Sequence, residues 1–113
     1  MIRGKVKPKV YYQPDIETMP LEQLRELQLE RMQWSVRHAY ENVAFYQRSF
    51  KDAGVEPGDL ASLDDLAKFP FVVKQDMRDA YPYGLFAVPS KDVARIHASS
   101  GTTGQATVVG HTA

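Results

Sequence analysis

Apolar residues recur at helical spacing from Leu21 to Val43, and this stripe is the strongest structural signal in the sequence. The residues of the stripe are Leu21, Leu24, Leu27, Leu29, Met32, Val36, Tyr40 and Val43. Charged residues fall between them, as in a helix that packs one face on a core. Pro20 suits a first helical position, and Thr18 can cap the helix from upstream. The stripe therefore predicts one long amphipathic helix of about 22 residues, or two abutting helices, that packs in a core.

Residues 1–19 are predicted to form an extended arm, because they contain Pro8 and Pro14 and show no helical period. A short second helix is predicted over residues 45–53, where Gly54 can provide a left-handed cap. The folded part of the chain is thus predicted to begin after the arm.

Two more short helices are predicted further along the chain. Ser62 and Asp65 form a capping-box pattern, and Pro70 ends the helix that follows it. Residues 74–81 form the next helix, which stops before a proline. Val73 at its start has no side chain that can cap a helix, so the sequence leaves this boundary open.

The pattern changes to that of strands towards the end of the sequence. Residues 93–98 alternate in strand fashion, and residues 107–109 are all β-branched. Together they predict a strand–loop–strand unit over about residues 93–110. The predicted fold class is α/β: residues 20–113 form a partial domain, with helices over about residues 20–82 and then this β-hairpin.

The segment between the strands has the composition of an anion-binding loop, and it runs Ser99-Ser100-Gly101-Thr102-Thr103-Gly104-Gln105. Glycines let the backbone approach a ligand, successive N–H groups form a nest, and hydroxyls can turn towards phosphate oxygens. The loop is not a Walker P-loop, because Gln105 and Ala106 follow Gly104 where that motif has Lys and Ser or Thr. No GxGxxG dinucleotide fingerprint occurs either. By composition alone, an ordinary hairpin turn explains the loop better than a binding site does.

Composition excludes several classes of protein. The net charge is zero, so the chain as a whole does not attract nucleic acid or anionic membrane, and the basic residues at its start are interpreted as a solvated terminus. Without cysteine there is no disulfide, thiolate metal site or Cys nucleophile. No apolar run resembles a signal peptide or approaches the roughly 20 residues of a membrane span. We therefore expect a cytoplasmic protein that binds neither nucleic acid nor membrane.

The three histidines are not assigned to catalysis or metal binding. His97 could act as a general base beside the loop, but a strand histidine packed under the hairpin is the preferred interpretation. His38 lies on the long helix and His111 in the frayed end of the chain. No pair of them has metal-ligand spacing with a carboxylate, so we assign no catalytic residue and no metal ligand.

Blocks along nearly the whole chain resemble one enzyme family. The string HASSGTTGQATVVG is similar to the phosphate-binding signature of adenylate-forming enzymes. Within that superfamily, the start of the phenylacetate–CoA ligases resembles the blocks YYQPDIETMPLEQLRELQLERM, YENVAFYQRSFKDAGV, SLDDLAKFPFVVKQDMRDAYPYGLFAVP and VARIHASSGTTG. Three positions depart from the family's pattern: Ala106 and Ala44 replace prolines, and Val73 replaces a hydroxyl residue. We expect Ala106 to loosen the exit of the loop and Ala44 to soften the break between the first two helices.

The resemblance implies an AMP-forming ligase that works in two steps. Phenylacetate attacks the α-phosphate of ATP, bound with Mg²⁺, to give an acyl-adenylate and pyrophosphate, and the thiol of coenzyme A then displaces AMP. The implied cofactors and partners are therefore ATP, Mg²⁺, coenzyme A and a small aromatic carboxylate. The residues implied to bind the nucleotide phosphates are Ser99, Ser100, Gly101, Thr102, Thr103, Gly104 and Thr107.

The family's adenine pocket, ribose-binding carboxylate, acyl pocket and C-terminal lysine all come later in sequence than this chain reaches. The resemblance therefore implies an N-terminal fragment that is inactive alone. Such a fragment leaves a sheet edge and an apolar helix face uncovered, which favours homo-oligomers. Two alternatives stay open: a ligase of the same superfamily for another aryl or small carboxylate, and a non-catalytic helical interaction module.

Overall fold

The computed structural model describes residues 7–100 and 104–113. The α-helices are α1 (Pro14–Glu17), α2 (Leu21–Asn42), α3 (Ala44–Ala53) and α4 (Lys74–Asp79). Short 3₁₀ turns cover Pro57–Asp59, Leu63–Lys68 and Ser90–Asp92, and two antiparallel strands follow, β1 (Val93–Ala98) and β2 (Val108–Thr112). This order of helices and then a β-hairpin is the fold class that the sequence predicts. No helix within the described ranges is long and apolar enough to cross a bilayer.

Local chemistry sets the ends of α1 and α2. The 22 residues of α2 match the length that the apolar stripe predicts, although Pro20 lies just before the helix and not in its first position. The prediction that Thr18 caps α2 is wrong, because the Thr18 hydroxyl donates to the carbonyl of Pro14 and closes α1 instead. The segment predicted as an extended arm therefore contains one helical turn, with Pro14 at a position where its missing N–H costs nothing.

The break between α2 and α3 falls on Val43. This residue has an extended backbone, with φ −125° and ψ 114°, and its side chain is only 2% exposed. We expected Ala44 to soften this break, but the helix is fully interrupted, because Val43 leaves the helical conformation and buries its side chain. The left-handed cap predicted at the end of α3 is present, since Gly54 has φ 69° and ψ 30°.

The core is small and aromatic. Across the residues that the structure describes, the buried apolar side chains are Val43, Phe50 and Leu60. The ring of Phe50 lies 5.7 Å from that of Tyr40, 6.0 Å from that of Tyr46 and 5.2 Å from that of Phe69 (centroid distances). Gln33 of α2 donates through Nε2 to the carbonyl of Leu60 at 2.8 Å. Helices α2 and α3 are thereby joined to the turns that follow them.

Most of α2 lies outside this core. None of its 22 residues is buried, and Leu21 is 61% exposed. The Cα radius of gyration is 19.4 Å, whereas a compact domain of this length has about 13 Å. The apolar stripe therefore forms a helix as predicted, but only its C-terminal end reaches the aromatic core.

Helix α4 ends two residues earlier than predicted, and one of its own residues caps its start. Its last residue is Asp79, and Ala80 already departs from helical geometry with ψ 2°. The Asp76 carboxylate accepts a hydrogen bond from the N–H of Val73 at 2.9 Å. Asp76, the third residue of α4, thus supplies the cap that the side chain of Val73 cannot provide.

The short helix predicted before Pro70 is present as a 3₁₀ helix over Leu63–Lys68, because Phe69 precedes a proline and is extended, which leaves only six residues. Its start carries the predicted cap. The Asp65 carboxylate accepts the N–H of Ser62 at 2.9 Å and its hydroxyl at 3.2 Å. The Lys68 ammonium lies 2.8 Å from the same carboxylate, and these contacts lower the pKa of Asp65 to about 2.

Removing the charge of Asp65 is expected to make the chain less sensitive to acid. A carboxyl group whose pKa is lower in the folded state stabilises it above the ordinary pKa of 3.8 and loses that contribution as the pH falls towards about 2. Thermal unfolding of Asp65→Asn should therefore change less between pH 4 and pH 2 than that of the unsubstituted chain. The neighbouring Asp64→Asn is the matched control. An equal pH dependence in the two variants would contradict this role for Asp65.

Candidate phosphate-binding site

The loop predicted to bind phosphates lies at the closed end of the β-hairpin. His97 pairs with Val109 and Ala98 pairs with Val108. The ladder extends one step further, because the N–H of Ser99 donates to the carbonyl of Thr107 at 3.0 Å. Ser99 and Thr107 thus stand opposite each other where the loop begins and ends.

The two hydroxyls at this position contact each other. Ser99 Oγ and Thr107 Oγ1 are 2.6 Å apart, and the N–H of Thr107 donates to Ser99 Oγ at 3.3 Å. A hydroxyl has one proton and two lone pairs, so one of the two protons remains available after the pair has formed. Ser99 is exposed and Thr107 half-buried. The pair therefore presents a donor at the mouth of the loop.

Gly104 leads the chain back towards the second strand. Its φ is 154°, a value that side-chain-bearing residues rarely adopt, and no atom of the described residues lies within 4 Å of a Cβ added there. Among residues 7–100 and 104–113, nothing blocks the approach of a ligand to this backbone. Ser100 is exposed on the other side of the loop.

The structure thus brings together part of the predicted phosphate site. Ser99 and Thr107 are in contact, while Ser100 and Gly104 belong to the loop that they close. Gly101, Thr102 and Thr103 lie outside the described residues. That these seven residues bind phosphate stays a prediction. Loop hydroxyls and an open backbone form a donor set that suits phosphate oxygens.

One face of the hairpin is covered at Gly110 by the ring of Phe86. On this face, a Cβ added to Gly110 would lie 2.7 Å from Cζ of Phe86, so the ring of Phe86 rests directly on the strand backbone. Side chains alternate along a strand, so Ser99, Thr107 and His97 share the opposite face. That face is where a ligand of the loop would approach.

Both predictions for the histidines of the hairpin are wrong. His111 does not lie in a frayed end, because β2 runs on to Thr112 and pairs His111 with Arg95. His97 is not packed under the hairpin; it is exposed, and its ring lies 4.7 Å from that of His111. The sequence pattern predicts a strand that ends at about Gly110, and for this reason it does not predict the contact between His97 and His111.

The implied cofactors differ in how far the described residues fit them. The loop hydroxyls suit the phosphates of ATP. Within residues 7–100 and 104–113, no group of three or more His, Cys, Asp or Glu side chains could hold a metal ion. Mg²⁺ in nucleotide enzymes is bound largely by substrate phosphates and water, with only one or two carboxylates, so the loop would hold it through the nucleotide.

Comparison with known proteins agrees with the resemblance seen in the sequence. The chain is 64% identical over 97 residues to the phenylacetate-coenzyme A ligase of Aromatoleum evansii, and 56% identical over 101 residues to that of Thermus thermophilus. These matches cover 86% and 89% of this chain, respectively. No protein-family profile matches it.

Solved structures of a related ligase share the fold. A 2-hydroxyisobutyryl-CoA ligase in complex with 2-HIB-AMP and CoA superimposes with a TM-score of 0.81 and 33% identity over 99% of this chain. The same ligase in a postadenylation state gives a TM-score of 0.80 and 31% identity over 90% of the chain.

In each case the match takes up a minor part of the other protein. The chain spans 22% to 23% of the length of the curated relatives and 22% to 25% of the solved ligase chains. Over most of its own length, the chain is similar to one segment of the phenylacetate-coenzyme A ligases, at 56% to 64% identity.

Proposed function

We propose that this chain is the phosphate-binding segment of an ATP-dependent ligase that activates phenylacetate as an acyl-adenylate and transfers it to coenzyme A. The observation that carries the proposal is the contact between the hydroxyls of Ser99 and Thr107 at the base of a Ser/Thr/Gly loop. An ordinary hairpin turn does not need two hydroxyls at this position. In a loop that receives phosphates, they fix the two ends and supply a donor.

The role of the loop follows from where charge develops in the reaction. When the carboxylate attacks the α-phosphate of ATP, negative charge grows on the departing pyrophosphate. Donors fixed in advance around that group lower the barrier most, because they need no reorganisation during the step. Ser99, Thr107 and the open backbone at Gly104 would hold the β- and γ-phosphates in this way. The chain's own task is therefore to bind and orient the leaving group.

The choice of phenylacetate rests on the difference between two sets of identities. The curated phenylacetate-coenzyme A ligases are 56% to 64% identical to this chain, while the 2-hydroxyisobutyryl-CoA ligase structures are 30% to 33% identical. A ligase for another small carboxylate is the second candidate, and the nature of the solved neighbours favours it over a non-catalytic module.

Location and assembly belong to the same proposal. ATP and coenzyme A would be the cosubstrates, and Mg²⁺ would be the cofactor bound with ATP. We place the enzyme in the cytoplasm, where all three are abundant. The half-covered stripe of α2 supports self-association, since an exposed apolar face is a typical oligomer contact.

A segment exchange tests the proposed function. We expect a ligase in which this chain replaces the matching segment of the Aromatoleum evansii enzyme to release AMP in the presence of ATP, phenylacetate and coenzyme A. The isolated chain should release none above background, because it spans only 22% to 23% of the length of the curated relatives. AMP release is measured with phenylacetate as the acid.

The exchange needs a control for failed folding. A second chimera with the Thermus thermophilus ligase tests whether the segment works in another host, and circular dichroism checks that each chimera is folded. Two folded but inactive chimeras would contradict the proposal, and so would turnover by the isolated chain.

A further inference from the structure

We propose that His97 and His111 form a two-histidine site for a divalent transition-metal ion on the face of the hairpin opposite Phe86. The two rings lie on neighbouring strands with their centroids 4.7 Å apart and their planes at 56°. Both residues are exposed. The pair lies on the same face of the hairpin as Ser99 and Thr107, and the proposal does not depend on the proposed ligase activity.

The register of the hairpin creates the pair. His97 is opposite Val109 and Arg95 is opposite His111, so the histidines are diagonal neighbours on one face. Diagonal neighbours in an antiparallel pair are close enough for aromatic side chains to meet. An ion bound by two imidazoles at 2.0–2.1 Å from each nitrogen needs those nitrogens roughly 3 Å apart. Because the ring centroids are already 4.7 Å apart, we expect side-chain rotation to bring one nitrogen of each ring to that separation.

The donor set selects the kind of metal. Imidazole nitrogen suits Cu²⁺, Ni²⁺ and Zn²⁺, whereas Mg²⁺ and Ca²⁺ prefer oxygen ligands. Neither β1 nor β2 contains an acidic residue, so water would fill the remaining positions. Arg95, opposite His111, adds a positive charge that opposes cation binding. The site should therefore favour Cu²⁺, the strongest binder of nitrogen ligands in the divalent series, and bind Zn²⁺ more weakly.

The pair gains its affinity from having both ligands on one rigid unit. Once the first imidazole has bound the ion, the second binds it at a high effective concentration, which gains roughly 10²-fold or more. Loss of either histidine should remove this gain. A single histidine elsewhere on the chain cannot provide this gain in affinity, because it offers only one ligand.

The test uses the full chain without an affinity tag and Cu²⁺ as the probe. Isothermal titration calorimetry should show one Cu²⁺ bound per chain, and His97→Ala and His111→Ala should each weaken that binding roughly 100-fold. His38→Ala is the matched control, because His38 stacks on Trp34 and not on another histidine. We expect its affinity for Cu²⁺ to be unchanged, and we expect no heat from Mg²⁺.

A second measurement needs no variant and guards against loss of folding. Cu²⁺ is paramagnetic, so at substoichiometric amounts it should broaden the ¹H–¹⁵N resonances of His97, His111 and their strand neighbours before those of His38. The proposal is overturned if broadening centres on His38. It is also overturned if the His97 and His111 variants, shown to be folded by circular dichroism, bind Cu²⁺ within threefold of the unsubstituted chain.

Discussion

Replacing Phe50 by alanine is expected to destabilise the chain by about 3–5 kcal/mol, the usual cost of removing a buried aromatic ring. The side chain of Phe50 is 5% exposed and lies among the rings of Tyr40, Tyr46 and Phe69. Small domains have a total stability of about 5–15 kcal/mol, and this chain buries little apolar surface. The substitution should therefore unfold a large fraction of the protein at 25 °C.

Urea unfolding followed by circular dichroism measures this effect, and Phe71→Ala is its matched control. The ring of Phe71 is 94% exposed, so the same chemical change should alter the free energy of unfolding by less than about 0.5 kcal/mol. Both variants should be measured at several protein concentrations, because self-association adds to apparent stability. Equal losses in the two variants would show that the aromatic cluster is not the core.

The small aromatic core around Phe50 contains fewer residues than the apolar stripe predicts from the sequence alone. The apolar period from Leu21 to Val43 correctly predicts a helix, since period depends only on local spacing. It does not say how deeply each residue is buried, because burial depends on what other parts of the chain supply. Leu21 is 61% exposed, while Val43 is 2% exposed, although both belong to the same stripe.

Features that depend on neighbours in sequence were predicted well. Gly54 caps α3 in the left-handed conformation, and the Asp65 carboxylate caps the turn that starts after Ser62. Each of these caps depends on residues no more than four positions apart, so the local sequence is sufficient to predict it. Thr18 is the exception, because its hydroxyl donates to the carbonyl of Pro14 and the N-cap position of α2 is occupied by Pro20.

Features that depend on strand register could not be derived from spacing. The pairing is regular from Arg95 opposite His111 to Ala98 opposite Val108, and this register decides which residues of β2 face which residues of β1. The contact between Ser99 and Thr107 and the pair formed by His97 and His111 both follow from it. The resemblance to the ligase family named the loop residues, but it did not predict these contacts.

Removing both hydroxyls at the base of the loop is expected to slow AMP release in the chimeric ligase by roughly 100-fold, the usual effect of losing one donor to a developing anion. The substitutions are Ser99→Ala and Thr107→Val, and Thr107→Val keeps the shape of the side chain while removing its oxygen. The effect should fall on kcat more than on the KM for phenylacetate. An interaction made mainly with the departing pyrophosphate contributes to the transition state and not to acid binding.

Two control variants separate this chemistry from a structural defect. Thr107→Ser keeps the hydroxyl and should stay within a few-fold of the parent chimera, because the contact with Ser99 Oγ can still form. Ser90→Ala removes an exposed hydroxyl from the 3₁₀ turn before β1 and should have no effect. If Ser99→Ala and Thr107→Val leave kcat unchanged, the hydroxyl pair is only a hairpin closure. A rise in the KM for ATP alone would instead assign the hydroxyl pair to ground-state binding. A donor that acts equally on substrate and transition state cannot raise kcat.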